Sequence, residues 1–331
     1  MVHCALCLAV RSCPERLPLD FSLIIPCFNE EESLPAFFKT ATQVFDSSDL
    51  SYEFIFVDDG SRDKTFELLS SFAENHDNIT VVSFSRNFGK EAALYAGMEH
   101  ATGDCLGLID ADMQQDPQTA LDMYRFLIEH QEYDLIAACQ EHRHENFILR
   151  FFKKTFYRLF NRVGDIDLIV DASDFRIMRA HVARAVLNMP EYFRFSKGLF
   201  AWVGFKTYAY PYTPNPRLAG TTKWSLFKLF RYAFDGLISF TTSPLRIAAY
   251  FGLVAFCASG IYLLSVLYEY CVRGIDVPGF PTIVGLVALF GGLQLSVLGI
   301  IGEYLGRAYL EGKHRPLYIA RAIIEPKEEQ R

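Results

Sequence analysis

The chain has 331 residues, 51% of them hydrophobic and 15% aromatic, with a formal net charge of −7. That size and apolar content suffice for a large core, and the acidic balance argues against a nucleic-acid partner, which a basic surface would serve. Of eight cysteines only Cys4, Cys7 and Cys13 cluster, with His3 beside them. No second CxxC or HxxxH follows, so the spacing favours free thiols in a reducing compartment over a zinc site.

Residues 1–20 lack the basic start and apolar core of a signal peptide and read as a lead-in. From Phe21 the pattern alternates. "FSLIIPCF" reads as a buried strand ending near Pro26, followed by the acidic helix start "NEEESLPAFFKTATQVF". "YEFIFVDDGS", "ITVVSFS", "CLGLID" and "YDLIAAC" read as further strands, with "RDKTFELLSSFAE", "GKEAALYAGMEHA" and "PQTALDMYRFLIEH" as the helices between them. Strands alternating with helices of about a dozen residues predict an α/β domain with a mostly parallel sheet. Ligands of such sheets bind beyond the carboxyl ends of the strands. The polar clusters fall at those ends: Asn29 with Glu30, Asp58 with Asp59, Arg86 with Asn87, and Asp110 with Asp112.

The run "LGLIDADMQQDP" carries the sharpest signal. Side chains two apart on a strand share a face, which predicts that Asp110 and Asp112 stand together. An acidic turn is the plain alternative. Two close carboxylates call for a cation, and hard oxygen donors suit Mg²⁺ or Mn²⁺, which keep part of their shell for substrate phosphates. A nucleotide diphosphate is the natural third party.

Between Arg143 and Arg162 there are six basic residues, Arg143, Arg150, Lys153, Lys154, Arg158 and Arg162, against one acid, Glu145. "FILRFFKKTFYRLF" (Phe147 to Phe160) and "WSLFKLFRYAFDGLI" (Trp224 to Ile238) interleave bulky apolar and charged residues, as interfacial helices do. His142 and His144 read as solvated surface residues, and Cys105 and Cys139 as small core residues. Ile247 to Tyr268 and Thr282 to Gly302, 22 and 21 residues without a charge, are each long enough to cross a bilayer. Lys223, Lys228, Arg231 and Arg246 precede the pair, and Arg307, Lys313, Arg315 and Arg321 follow it. The positive-inside rule then places both ends in the cytoplasm and the 13-residue loop across the membrane. The expected organisation is a lead-in (1–20), a catalytic domain (21–220), a juxtamembrane amphipathic helix (221–243), two spanning helices (244–305) and a cytoplasmic tail (306–331). Self-assembly through the membrane helices is a further expectation.

"IIPCFNEEESL", "FVDDGSRDKT", "SRNFGKEAALYAGMEHATGD", "DADMQQDP", "DASDFRIM", "KGLFAWVGF" and "RLAGTTKWSLFKLF" occur in this order. Together they resemble the polyprenyl-phosphate glycosyltransferases of glycosyltransferase family 2. The bactoprenol glucosyltransferase branch is nearest, and dolichyl-phosphate mannose synthase is a more distant relative. The resemblance runs from about Phe21 to Pro316.

It implies a GT-A-like, Rossmann-like domain in a bacterial inner-membrane protein. The implied reaction moves a hexose, with glucose favoured, from a nucleotide diphosphate sugar such as UDP-glucose to undecaprenyl phosphate, with inversion. Pro26, Phe28 and Glu30 would line the base pocket, Asn29 would be a further nucleotide-sugar contact, and Asp58 or Asp59 with Asp110 would hold the nucleoside. Asp112, with Asp110 and Gln114, would bind the metal. Arg217 and Lys223 would neutralise the diphosphate, and Asp174 and Arg176 would lie near the reacting phosphate, with Asp174 as an orienting group or modest base. Arg143 would draw in the lipid phosphate. Gln140 stands where relatives tend to carry arginine, a departure for which Arg143 could compensate. Other readings are mannosyl or aminosugar transfer, a nucleotidyl or phosphotransferase with the same acids, and a non-enzymatic subunit of a glycan assembly complex.

Overall fold

A computed structural model describes residues 19–140, 169, 172–189, 191–215, 241–273 and 279–326. The first half follows the expected alternation: β1 (Phe21–Cys27), α1 (Leu34–Asp46), β2 (Tyr52–Asp58), α2 (Thr65–Asn75), β3 (Ile79–Phe84), α3 (Lys90–His100), β4 (Cys105–Leu108), α4 (Pro117–Glu129) and β5 (Leu135–Gln140). Then come β6 (Ala172–Arg179), α5 (Ala180–Leu187), α6 (Ser196–Trp202), β7 (Thr207–Tyr212), α7 (Ser243–Arg273), α8 (Phe280–Glu311) and β8 (Ala320–Ile324).

Local chemistry explains the boundaries. α4 starts where Asp116 accepts a hydrogen bond from the Gln118 N–H at 2.9 Å and Pro117 takes the first helical position, where no N–H is missed. α1 buries Leu34, Phe37, Ala41 and Phe45, a stripe at helical spacing, against the sheet. Along β1, Leu23 and Ile25 enter the core beneath α1, α2 and α4, while Ile24 enters the core beneath α3, α5 and α6. The result is a sheet covered on both faces, which is why its strands read as continuous apolar runs rather than alternating ones.

The strand order is β7-β5-β6-β4-β1-β2-β3-β8. β3, β2, β1 and β4 run parallel, and the order reverses at β1, which lies between β2 and β4. That reversal leaves a crevice at the carboxyl ends of β1 and β4. β6 enters antiparallel between β4 and β5, and β7 lies parallel to β5. The sheet is therefore GT-A-like: mostly parallel, but mixed.

Two details differ from the sequence expectation. β4 ends at Leu108, so Asp110 and Asp112 sit in the turn beyond it, where Met113 adopts a φ of 60°, and not on a strand face. Residues 320–324, expected in a cytoplasmic tail, form β8 and pair antiparallel with β3.

α7 and α8 have 31 and 32 residues and contain both expected apolar spans. Two stretches, Leu245–Tyr262 and Leu289–Glu311, are long and apolar enough to cross a membrane, and almost none of either is buried. Side chains such as Tyr250, Ile261 and Leu295 are about 70% exposed (68, 70 and 71%), which a core helix of a water-soluble protein would not tolerate. β8 and the Glu311–Tyr192 hydrogen bond return the end of α8 to the α/β domain. The Tyr304 hydroxyl donates to the Thr241 carbonyl at 2.6 Å, closing the base of the pair.

Candidate active site

The site builds up around the crevice at β1 and β4. The loops after β1 and β2 are laced together: the Asn29 N–H donates to Ser61 Oγ (3.0 Å), the Arg62 N–H to Asn29 Oδ1 (2.9 Å) and the Glu30 N–H to Thr65 Oγ1 (2.9 Å). Asn29 takes a φ of 55°, a left-handed conformation that asparagine tolerates better than most residues. Phe28 stands 43% exposed at the rim, beside half-buried Pro26.

Asp58 and Asp59 do different work. Asp58 is fully buried and accepts from the Ser61 N–H (2.9 Å) and the Ser83 hydroxyl (2.7 Å). Asp59, nearly as buried, accepts from the Phe88 N–H (2.6 Å) and the Gly89 N–H (3.0 Å), holding the loop that leads into α3. Both carboxylates are thus committed to protein groups.

α3 packs unusually close to β1: a Cβ on Gly97 would lie 2.2 Å from Ile24 Cγ2. That close seating brings the first residue of α3, Lys90, over the crevice. Its ammonium lies 2.7 Å from Asp110 Oδ1 and 3.1 Å from Asp174 Oδ2, bridging the turn after β4 to β6. Burial opposes the charge on Lys90, yet Asp110 and Asp174 raise its pKa well above the ordinary lysine value. Burial alone would raise Asp174, but Lys90, Lys197 and Arg176 hold it down to about 2. Asp174 is therefore a carboxylate at any physiological pH. Lys90 was not singled out in the sequence; its only local signal is its place after Gly89 at the carboxyl edge that holds the other clusters.

Asp110 also meets Gln115, whose Oε1 accepts the Asp110 N–H at 2.9 Å and whose amide nitrogen lies 3.4 Å from Asp110 Oδ2. The side chain supporting Asp110 is thus Gln115; Gln114 contributes backbone, its N–H donating to Asp112 Oδ1 (3.1 Å) and its carbonyl accepting the Asn215 N–H (2.9 Å). That last bond ties the chain leaving β7 to the Asp112 turn, two residues before Arg217.

The field here is negative. Glu30 has its pKa raised by burial first and then by Asp112, Asp110 and Asp63, although the Ser33 hydroxyl donates to it at 2.5 Å. Cys27 beneath is pushed well up by burial and by Glu30, Asp58, Asp110 and Asp63. The donors suit a hard divalent cation, although the Lys90 ammonium already lies against one side of Asp110. Among the described residues no three His, Cys, Asp or Glu side chains converge on one point. Asp110 and Asp112 would supply part of a metal shell, leaving the remainder to phosphate and water oxygens.

Behind β6 lies a cavity of about 220 Å³ lined by Arg176, Lys197, Phe200 and Ala172. The Arg176 guanidinium sits over the Phe200 ring at 4.7 Å, and Lys197 donates to the Ala172 carbonyl at 2.9 Å. Both cations also act electrostatically on Asp174. Gln140 lies at the end of β5, where its amide donates to the Tyr212 hydroxyl at 3.1 Å. Arg143, Arg217, Lys223, both amphipathic segments (Phe147 to Phe160 and Trp224 to Ile238), His142, His144 and the Cys4, Cys7, Cys13 cluster lie outside the described residues.

The family model described as Glycosyl transferase family 2 matches residues 22–187. The chain is 38% identical over 307 residues to the glycosyltransferase sll0501 of Synechocystis sp., covering 92% of this chain and 95% of that one. It is 37% identical over 310 residues to the prophage bactoprenol glucosyl transferase homolog of Escherichia coli, covering 92% and 99%. Among solved structures, mannosyl-3-phosphoglycerate synthase from Rubrobacter xylanophilus superposes with a TM-score of 0.46 at 16% identity, covering 66% and 72%.

Proposed function

The chain belongs to glycosyltransferase family 2, and from that premise we propose that it moves a hexose from a nucleotide diphosphate sugar to a polyprenyl phosphate at a membrane surface. The observation that carries this reading is the Lys90 bridge between Asp110 and Asp174, set in an acidic crevice of a domain to which the end of an exposed apolar helix pair returns. Glucose as the sugar, UDP-glucose as its donor and undecaprenyl phosphate as its acceptor rest on the similarity to proteins named bactoprenol glucosyl transferase.

In this reading Pro26, Phe28, Asn29 and Glu30 flank the nucleotide, with Asp58 and Asp59 fixing the loops around it. Arg217 and Lys223, which follow Asn215 in the chain, would offset the diphosphate; the Asn215 N–H itself donates to the Gln114 carbonyl. Mg²⁺ or Mn²⁺, held by Asp110 and Asp112, would supply further positive charge against the departing diphosphate.

An oxygen of the acceptor phosphate attacks the anomeric carbon, and the bond from that carbon to the diphosphate oxygen breaks with its electron pair. The nucleoside diphosphate departs, and a sugar linked to the lipid phosphate remains, its configuration inverted. The attacking oxygen is already largely anionic at neutral pH, so no strong base is needed. A carboxylate with a pKa of about 2 is a poor base in any case. Asp174 instead orients Lys90, while Arg176, with Gln140 and Arg143 on the acceptor side, receives the lipid phosphate; such orientation supplies much of the rate.

The remaining topology belongs to the same proposal: an inner-membrane protein with the α/β domain and both ends of the hairpin cytoplasmic. The test uses membranes containing the protein, a panel of labelled nucleotide sugars and undecaprenyl phosphate, with and without chelator. Label entering the organic phase from one donor and lost on chelation supports the proposal. Label in that phase only when carried on the nucleotide would replace it with a nucleotidyl transferase.

A further inference from the structure

A second cavity, of about 430 Å³, is lined by the start of α3, by Tyr192 and Arg194, and by residues 315–317 and 319. Arg86, Arg194 and Arg315 line it, with Glu91 and Tyr192. Among the described residues none of these three guanidinium groups forms an ion pair within 4.0 Å. Glu91 and, from the adjoining segment, Glu191 act on Arg194, so three cations against two carboxylates leave the cavity with a net positive charge.

Arg194 is the unusual member. It is 91% buried by exposure (9% exposed), held by Nη1 to the Met189 carbonyl at 2.5 Å and by Nη2 to the Val186 carbonyl at 3.3 Å. Its Nε has no hydrogen-bond partner among the described residues. A buried, unsatisfied charged donor is costly unless something occupies it. Arg86 lies 4.2 Å over the ring of Phe88, which also lines the cavity.

The position identifies the occupant. Glu311, the last residue of α8, accepts the Tyr192 N–H at 2.8 Å, and Arg307, one turn earlier, lies 5.0 Å from the Phe193 ring. The cavity wall from 191 to 195 is thus clamped to the end of an apolar helix long enough to cross a membrane, and Arg315 follows that end by four residues. An anion reaching this point arrives from the headgroup layer, where lipid phosphates are the abundant anions.

We propose that this cavity binds the phosphate of a membrane lipid, engaged by Arg86, Arg194 and Arg315. This site is separate from the Arg176 and Lys197 cavity and does not rest on the transfer reaction. It would moor the α/β domain to the bilayer with the start of α3, and so Lys90, at a set depth.

The test is native mass spectrometry of the full chain released from detergent with added phosphatidylglycerol, undecaprenyl phosphate, phosphatidylcholine or inorganic phosphate alone, with no donor nucleotide. Wild-type protein should retain one or both of the anionic lipids. Arg315→Ala and Arg86→Ala, at exposed positions where folding is not at stake, should each reduce that retention about 10-fold, the loss of one charge-assisted contact. Arg194→Gln should reduce it further. Retention of phosphatidylcholine to the same degree, unchanged retention in the Arg315 and Arg86 variants, or Arg-dependent capture of inorganic phosphate without either lipid would each overturn the assignment. Lipid retention in a protein that transfers no sugar would refute the proposed reaction while leaving this site intact.

Discussion

Lys90 and Asp174 lie 84 residues apart in sequence, and the lysine ammonium sits 3.1 Å from the aspartate Oδ2 while also contacting Asp110. One side chain thus couples the turn after β4 to β6, the two walls of the crevice.

Replacing Lys90 by methionine keeps the aliphatic stem and deletes the charge. Asp110 and Asp174 then face each other without their common partner, and kcat/KM should fall by at least 10²-fold through lost positioning. The pH profile gives a second readout. Asp174 has its pKa depressed to about 2, chiefly by Lys90, so its charged form is favoured above its unfolded value and that contribution is lost as pH falls through about 2. Without Lys90 the folded value rises, and the acid limb of the profile should move toward neutrality. An unchanged limb together with full activity would remove Lys90 from the site.

Gly60 has a φ of 67°, and a Cβ there would lie 2.4 Å from the Arg86 carbonyl carbon and 2.7 Å from the Asn87 nitrogen. The obstacle is backbone, so nothing can swing aside. Gly60→Ala should cost about 1–3 kcal/mol from the left-handed conformation and the clash, visible as a lower melting temperature in detergent. Activity should fall as well, because the displaced loop carries the Phe88 and Gly89 N–H groups that Asp59 holds.

The βα alternation was readable from sequence because a strand covered on both faces is an unbroken apolar run bounded by polar turns. The antiparallel insertion of β6 between β4 and β5 was not, since pairing partners leave no periodic trace. Asp110 and Asp112 stand out as candidates, yet both lie in the turn after β4 that contains Met113 and not on a strand face. Lys90 escaped notice because its role depends on how closely α3 sits on Ile24, a packing distance that no local pattern encodes. β8 escaped for the opposite reason: five residues with alternating exposure after a helix pair look like tail until the free edge of β3 is in view.

That strand supplies another prediction. Tyr318 stacks on Phe84 at 4.8 Å and its hydroxyl donates to Glu99 at 2.6 Å, while Arg321 donates to Ser83 Oγ at 3.0 Å. Truncation after Pro316 would strip these contacts and expose the edge of β3, a template for aberrant pairing. The shortened chain should melt at lower temperature and aggregate at concentrations where the full chain stays dispersed. Tyr318→Phe, which keeps the stacking, should lose only about 1 kcal/mol.

Asp112→Asn separates catalysis from stability. In the absence of metal, Glu30 has its pKa raised by burial first and then by the charges of Asp112 and Asp110. A carboxylate whose folded value is raised holds its proton more tightly in the folded state. It therefore destabilises the fold as pH rises from its unfolded value through that raised value, and the penalty persists at neutral pH. Removing the Asp112 charge relieves part of it. Asp112→Asn should thus melt no lower than wild type in chelator at pH 7, and the difference between them should shrink as pH falls below the carboxylate range. Transfer of sugar to lipid should nevertheless drop by 10²-fold or more, since in the proposed reaction this carboxylate would face the cation and the diphosphate. A variant that melts markedly lower would mark Asp112 as a structural turn residue, and one that keeps full activity would take it out of the chemistry altogether. A carboxylate whose loss costs turnover but not stability is the pattern expected where like charges are held for function rather than for folding.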